Sequence, residues 1–172
     1  QADPPFTGAS AGYGDFFVAK TKSAFGIDAS SKIGGIELAM KTILEEAERA
    51  RRFGFTETEY DRARANYLQR VESAYNEREK MKNDTYVNEY ISNFLDNEPM
   101  PGIEYEYAMM NKLAPNIPMT AINQVMQQLI TDNNQVVLLA GPEKEGLKYP
   151  TKEEITALLK QMKSFDLKPY ED

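Results

Sequence analysis

The amino-acid sequence predicts an α+β fold, with helices packed on one face of a mostly antiparallel sheet, and three observations predict it. Phe25, Ile27 and Ala29 alternate with small or polar residues, as along a half-buried strand. From Ile36 onward, apolar residues recur at helical spacing through several consecutive segments. A short apolar run then follows, Gln135 to Ala140 (QVVLLA), bounded by Asn-rich and Gly-Pro signals. Strands and helices segregated in this way indicate α+β.

Residues Gly8 to Lys32 hold glycines, aromatics and small polar residues. They are expected to form two strands, one around Phe16, Phe17 and Val18 and one around Phe25 to Ala29, joined near Lys20 to Lys22. Gly34-Gly35 breaks that pattern. A helix follows with Ile36, Met40, Ile43, Leu44 and Ala47 on one face, and Glu45, Glu46, Glu48, Arg49, Arg51 and Arg52 largely on the other. Gly54 is its stop signal. Thr56 with Glu59 matches a capping box, so the next helix starts there and runs to about Lys80. Its stripe is Tyr60, Ala63, Tyr67, Leu68, Val71, Ala74 and Tyr75. A third helix carries Tyr86, Val87, Tyr90, Ile91, Phe94 and Leu95, and Pro99-Met100-Pro101-Gly102 ends it. Two shorter helices are expected over Tyr105 to Leu113 and Thr120 to Ile130, separated by Pro115 and Pro118. Gln135 to Ala140 reads as a buried strand. Thr151 with Glu154 forms a second capping box, opening a last helix through Ile155, Leu158, Leu159 and Met162. Three strands are few for a sheet layer. The sheet is therefore expected to be incomplete, with further strands before Gln1.

At 172 residues and 19.5 kDa, the chain fits one domain, or one and a small extension. An apolar fraction of 41%, with 8 Phe and 10 Tyr, is enough for a core. The net charge of -7 argues against nucleic-acid backbones as partners. No apolar run approaches the roughly 20 residues of a membrane span, and no signal-peptide pattern opens the chain. Gln1-Ala2-Asp3-Pro4-Pro5 reads as the interior of a polypeptide, so the expectation is an excised piece of something larger.

The chain has no histidine and no cysteine. A conventional catalytic zinc site needs imidazole or thiolate ligands, and Ser-His-Asp or Cys-His catalysis needs the same groups. Glu45-Glu46 and Glu153-Glu154 are helix neighbours that point in different directions, so they read as solvated faces and not as acid/base dyads. Gly8, Gly12 and Gly14 lack the Gly-Lys-Ser/Thr ending of a phosphate loop and precede a strand. They read as a loop or a close backbone approach, and small residues beside an edge strand would let an extended peptide add to the sheet. Tyr60, Tyr67, Tyr75, Tyr86 and Tyr90 lie on helical stripes and are expected to pack in the core. Arg78, between Glu77 and Glu79, reads as a solvated helix end or, failing that, a structural salt bridge.

The stretch Gly54 to Gly102 resembles the M16 metallopeptidases, the pitrilysin and insulin-degrading enzyme family. The residues that carry this are Gly54 to Glu59 (GFTETE), Arg62 to Asn66 (RARAN), Glu72 to Lys80 (ESAYNEREK), Phe94 to Gly102 (FLDNEPMPG) and Ile103 to Glu106. Gly34-Gly35-Ile36-Glu37 upstream and Val136 to Lys144 (VVLLAGPEK) downstream fit the same pattern, so the resemblance covers roughly Gly8 to Leu159. It implies the LuxS-MPP-like metallohydrolase fold and a parent built of paired homologous domains closing around a peptide. In that family zinc sits in another domain, on an inverted HxxEH motif and a distant glutamate. This sequence has no HxxEH, so no catalytic or metal-ligating residue carries over.

The chain is instead similar to the C-terminal part of the non-catalytic second domain. On that resemblance, residues 1–172 belong to one such domain, and residues 165–172 begin the linker to the next half. In insulin-degrading enzyme-like members, the glycine-containing strand region helps anchor the substrate's N-terminal end. Gly12, Tyr13, Gly14 and Phe25 are the matching candidates for substrate binding. The function implied is a non-catalytic chamber and scaffold domain of a zinc endopeptidase. The alternative is a catalytically inactive M16-like domain with an assembly role. The implied partners are other domains of the parent chain and a peptide substrate, and a homodimer through a cut sheet edge is a further expectation. The parent's compartment, bacterial cytoplasm or periplasm, stays open. Zinc titration of the 172-residue chain is expected to show no tight binding, and a stoichiometric submicromolar site would overturn the argument from missing ligands.

Overall fold

The computed structural model describes residues 4–16 and 19–171. Its elements, in chain order, are β1 (Phe6–Phe16), β2 (Ala19–Ser31), α1 (Ile36–Phe53), α2 (Glu57–Asn76), α3 (Asn83–Asp96), α4 (Ile103–Leu113), α5 (Met119–Leu129) and α6 (Lys152–Gln161). Single 3-10 turns lie at Arg78–Lys80, Ala114–Asn116 and Met162–Ser164. The α+β class is as the sequence predicts. The chain divides into two compact units, one made of the residues up to Phe55 with Ile122–Glu171, the other of Thr56–Ala121.

In the first unit, β1 and β2 form an antiparallel ribbon. The register places Ala9 opposite Ala29, Ala11 opposite Ile27 and Tyr13 opposite Phe25. Because directly opposed residues share a face, one side of the ribbon is apolar. Its β2 members Phe25, Ile27 and Ala29 are half-buried, and α1 packs against β2. The other face carries Gly8, Ser10, Gly12 and Gly14 opposite Ser30, Asp28, Gly26 and Ala24. The strands are not joined at Lys20 to Lys22 as expected: Phe16 already pairs with Ala19, and the register shifts between Asp15 and Phe16. Lys20 to Lys22 thus fall in an irregularity of β2. Phe17 and Val18, expected in the first strand, lie outside the described residues.

Helix α1 ends where Gly54 adopts φ 73° and donates its N–H to the Ala50 carbonyl at 2.9 Å. A Cβ at Gly54 would run into the side chain of Asn123, whose Oδ1 accepts the Phe55 N–H at 2.9 Å. Both the turn and the approach therefore require glycine.

The polar face of α1 departs most from expectation. Glu48 is 0% exposed. Arg51 binds its carboxylate in a fork, Nε to Oε2 at 2.7 Å and an Nη to Oε1 at 2.6 Å, and Arg52 Nε reaches Oε1 at 2.5 Å. Arg52 also donates to the carbonyls of Met162 (3.2 Å), Lys163 (2.5 Å) and Phe165 (2.9 Å). Further along, Arg49 donates to the Lys168 carbonyl and lies 4.7 Å from the Tyr170 ring centroid, and the Tyr170 hydroxyl donates to Glu46 at 2.8 Å. A segment more than a hundred residues away thus covers the supposed solvent face. Burial pushes the Glu48 carboxyl up, but the hydrogen bonds and charges of Arg51 and Arg52 outweigh it and hold the pKa below the ordinary value.

In the second unit, α2 opens with the expected capping box, Glu59 N–H to Thr56 Oγ1 at 3.3 Å and Thr56 N–H to Glu59 Oε2 at 2.9 Å. It packs against α4, with Tyr75 stacked on Tyr107 at 4.4 Å between centroids. Arg78 caps that stack 4.3 Å from the Tyr75 centroid, donates to the Tyr75 carbonyl at 2.7 Å and pairs with Glu104 at 3.1 Å. Its structural salt-bridge reading is the one observed.

Two other expectations fail. Gln135 to Ala140 forms no strand, and Val136 to Leu139 are all exposed, with Leu138 at 70%. An isolated extended segment has no ladder to join, and no described strand pairs with it. The α3 stripe is likewise outside the core: Tyr86, Val87, Tyr90, Ile91, Phe94 and Leu95 are all exposed, and so is Tyr67 on α2. Each forgoes much of the roughly 1.5–3 kcal/mol that full burial of a large apolar side chain yields.

Glu48→Ala is expected to lower stability by about 2 kcal/mol in urea unfolding. That is less than for a fully buried pair, since both arginines keep some water contact. A depressed folded-state pKa stabilises the fold above the unfolded value of 4.5, and that contribution disappears as the pH falls through the folded value. Glu48→Gln should therefore flatten the loss of stability below about pH 4.5.

Candidate functional site

The ribbon brings all four candidate substrate-binding residues together. Gly12, Tyr13 and Gly14 are consecutive on β1, and Phe25 stands directly across from Tyr13 on β2. Tyr13 is 63% exposed and Phe25 half-buried, so the pair runs from solvent into the unit. The glycines are strand residues, not a loop before a strand, and this corrects their expected placement. Nothing lies within 4 Å of a Cβ built on Gly8, Gly12, Gly14 or Gly26. The small-residue face is therefore flat and open, and Ser10 links the strands across it, donating to the Asp28 carboxylate oxygens at 3.1 and 3.0 Å.

Among the described residues the sheet contains only these two strands, so each leaves one flank of alternating N–H and C=O groups without a ladder partner. That arrangement can hold an extended chain by main-chain hydrogen bonds, with Tyr13 as an aromatic wall.

The remaining candidates for chemistry have structural partners. Glu45 pairs with Lys41 at 3.6 Å, and Glu46 is taken by Arg49 and Tyr170. Glu154 closes the capping box of α6, its carboxylate accepting from the Thr151 N–H at 2.7 Å, which holds its pKa below the ordinary value. Neither adjacent pair is an acid/base dyad. For zinc, the donor set is the test: the sequence supplies neither imidazole nor thiolate, and among the described residues no three carboxylates converge. These residues do not fit a zinc ion.

The Glu48 cluster was missed as a buried centre. A glutamate with arginines three and four residues later on one helix marks an ion-pair group. One of its partners, Arg52, is held in turn by the carbonyls of Met162, Lys163 and Phe165, a long-range attachment that no local pattern reveals.

No protein-family profile matches the chain. Over 95 residues, 55% of the chain, it is 35% identical to an Arabidopsis thaliana protein described as zinc protease PQQL-like. The chain spans only 10% of that protein's length. Its fold matches the periplasmic protease PqqL of Escherichia coli over 98% of the chain, with a TM-score of 0.79 at 19% identity, and covers 18% of that structure. Against the structure of the first half of PqqL, the TM-score is 0.74 at 16% identity, covering 98% of this chain and 36% of that one. Sequence kinship to a zinc protease and the shared PqqL fold together bear out the resemblance to the M16 metallopeptidases.

Proposed function

We propose that this chain is a non-catalytic, chamber-forming domain of a zinc metalloendopeptidase, and that it holds peptide substrate in extended form along the β1–β2 ribbon. The observation that carries the proposal is the ribbon itself: an open flank, a flat glycine face and the opposed Tyr13–Phe25 pair. An extended peptide adding as a third strand satisfies its own backbone on β1 or β2 and sets a side chain against Tyr13. Catalysis belongs to another domain of the parent chain, where an HxxEH motif supplies the zinc ligands and the general base. Residues 1–172 act as part of one second-type domain, and residues 165–172 lead toward the following half.

The second reading, an inactive M16-like domain used in assembly, is favoured by the exposed stripe on α3, a surface suited to protein contact. The sequence preceding Gln1 in the same polypeptide discriminates the two. An HxxEH about one domain earlier supports the protease, and its absence supports assembly.

Substrate holding is tested with an extended peptide of about eight residues, long enough to pair along one strand, and its alternately N-methylated counterpart. The unmodified peptide is expected to bind at least about tenfold more tightly, because methylation removes main-chain donors, and Tyr13→Ala should weaken it severalfold. Equal binding of the two peptides would refute strand addition.

A further inference from the structure

Helix α3 has inverted amphipathy. Its polar residues Glu89, Ser92 and Asn93 are half-buried, whereas its apolar side faces solvent and Phe94 is 85% exposed. Tyr86, Tyr90 and Phe94 form one ridge at spacing of four, and Val87, Ile91 and Leu95 form a second beside it. A shallow apolar groove lies along this surface, lined by residues of both ridges. Ridges of this spacing receive the ridge of another helix, and they extend for about 14 Å, so the shape fits a partner helix of about three turns.

Charge narrows the choice of partner. Between Lys82 and Glu98 the exposed charged residues are Asp84, Asp96 and Glu98 against one cation, Lys82, with Glu89 on the half-buried side, and the whole chain carries -7. A second copy would bring the same sign to the same surface, so self-pairing is electrostatically disfavoured. The proteins of matching sequence and fold are several times longer than this chain, which covers 18% of PqqL and 10% of the plant relative. We infer that α3 is the docking face for a helix with an apolar stripe and Lys- or Arg-rich margins, supplied by another segment of the same longer polypeptide. The inference rests on reading these residues as one domain of a larger protease chain.

The test uses the 172-residue chain and two synthetic helical peptides of about three turns. Both carry a Leu stripe and differ only in having Lys or Glu at the remaining positions. Calorimetry is expected to show the Lys peptide binding at least about tenfold more tightly, with the gap narrowing at high salt. Ile91→Glu and Phe94→Glu should each abolish binding with an unchanged circular dichroism spectrum, since both side chains are already exposed. Equal affinity for the two peptides, no binding of either, or binding that survives both substitutions overturns the docking face. The source is read in the polypeptide as its gene encodes it, with a photoreactive phenylalanine analogue at position 94. A cross-link within one chain is expected, and a cross-link between copies or to a different protein overturns the assignment. Ile91→Glu should leave extended-peptide binding at the ribbon unchanged, so failure of the docking face and failure of the substrate wall are told apart.

Discussion

A carboxylate stripped of water is stable only if charge and hydrogen bonds replace its hydration, and Glu48 meets that condition through two arginines at once. The same arrangement fixes Arg52, whose remaining nitrogens then point at the carbonyls of Met162, Lys163 and Phe165. One ion-pair centre on the last turns of α1 thereby anchors the end of the chain. Arg49, Glu46 and Tyr170 extend the attachment along the same helix. Among the described residues, the buried apolar ones in that unit are Ala39, Ala47, Ile130 and Met162, two of them alanines, a modest apolar core that the ion-pair centre supplements.

That economy of burial separates scaffold from surface. Where side chains are committed to partners, as in the Tyr75–Tyr107–Arg78–Glu104 stack and the two capping boxes, their role is to hold elements in place. Where they are not, two surfaces stand out: the glycine-rich ribbon, whose backbone is accessible from the side, and the apolar side of α3. The first suits an extended chain, and the second suits a helix.

Local signals in the sequence located most of the elements. Thr56 with Glu59 and Thr151 with Glu154 fix their helix starts through bonds made within four residues. Gly54 and the Pro99–Gly102 run mark helix boundaries for equally local reasons. Of the four candidate residues, Phe25 was legible as a strand residue, whereas Gly12 and Gly14 read as a loop, and that Tyr13 faces Phe25 follows only from the register of the ribbon. The turn was misplaced because the irregularity at Lys20 to Lys22 leaves no mark in the hydrophobic alternation.

By itself, the sequence determined the α+β class, most helix starts and stops and the want of zinc ligands, which follow from local pattern or residue inventory, and it carried the resemblance to the M16 metallopeptidases. Only the tertiary structure decided which faces are inside. Periodicity marks a helix as amphipathic without saying what its apolar face meets, so the α3 stripe and QVVLLA read as core and yet lie exposed. Glu48, read as solvated, is buried, and its partner Arg52 is held by a carbonyl more than a hundred residues away. Burial is a property of pairs of surfaces, and one strip of sequence specifies only one of the two.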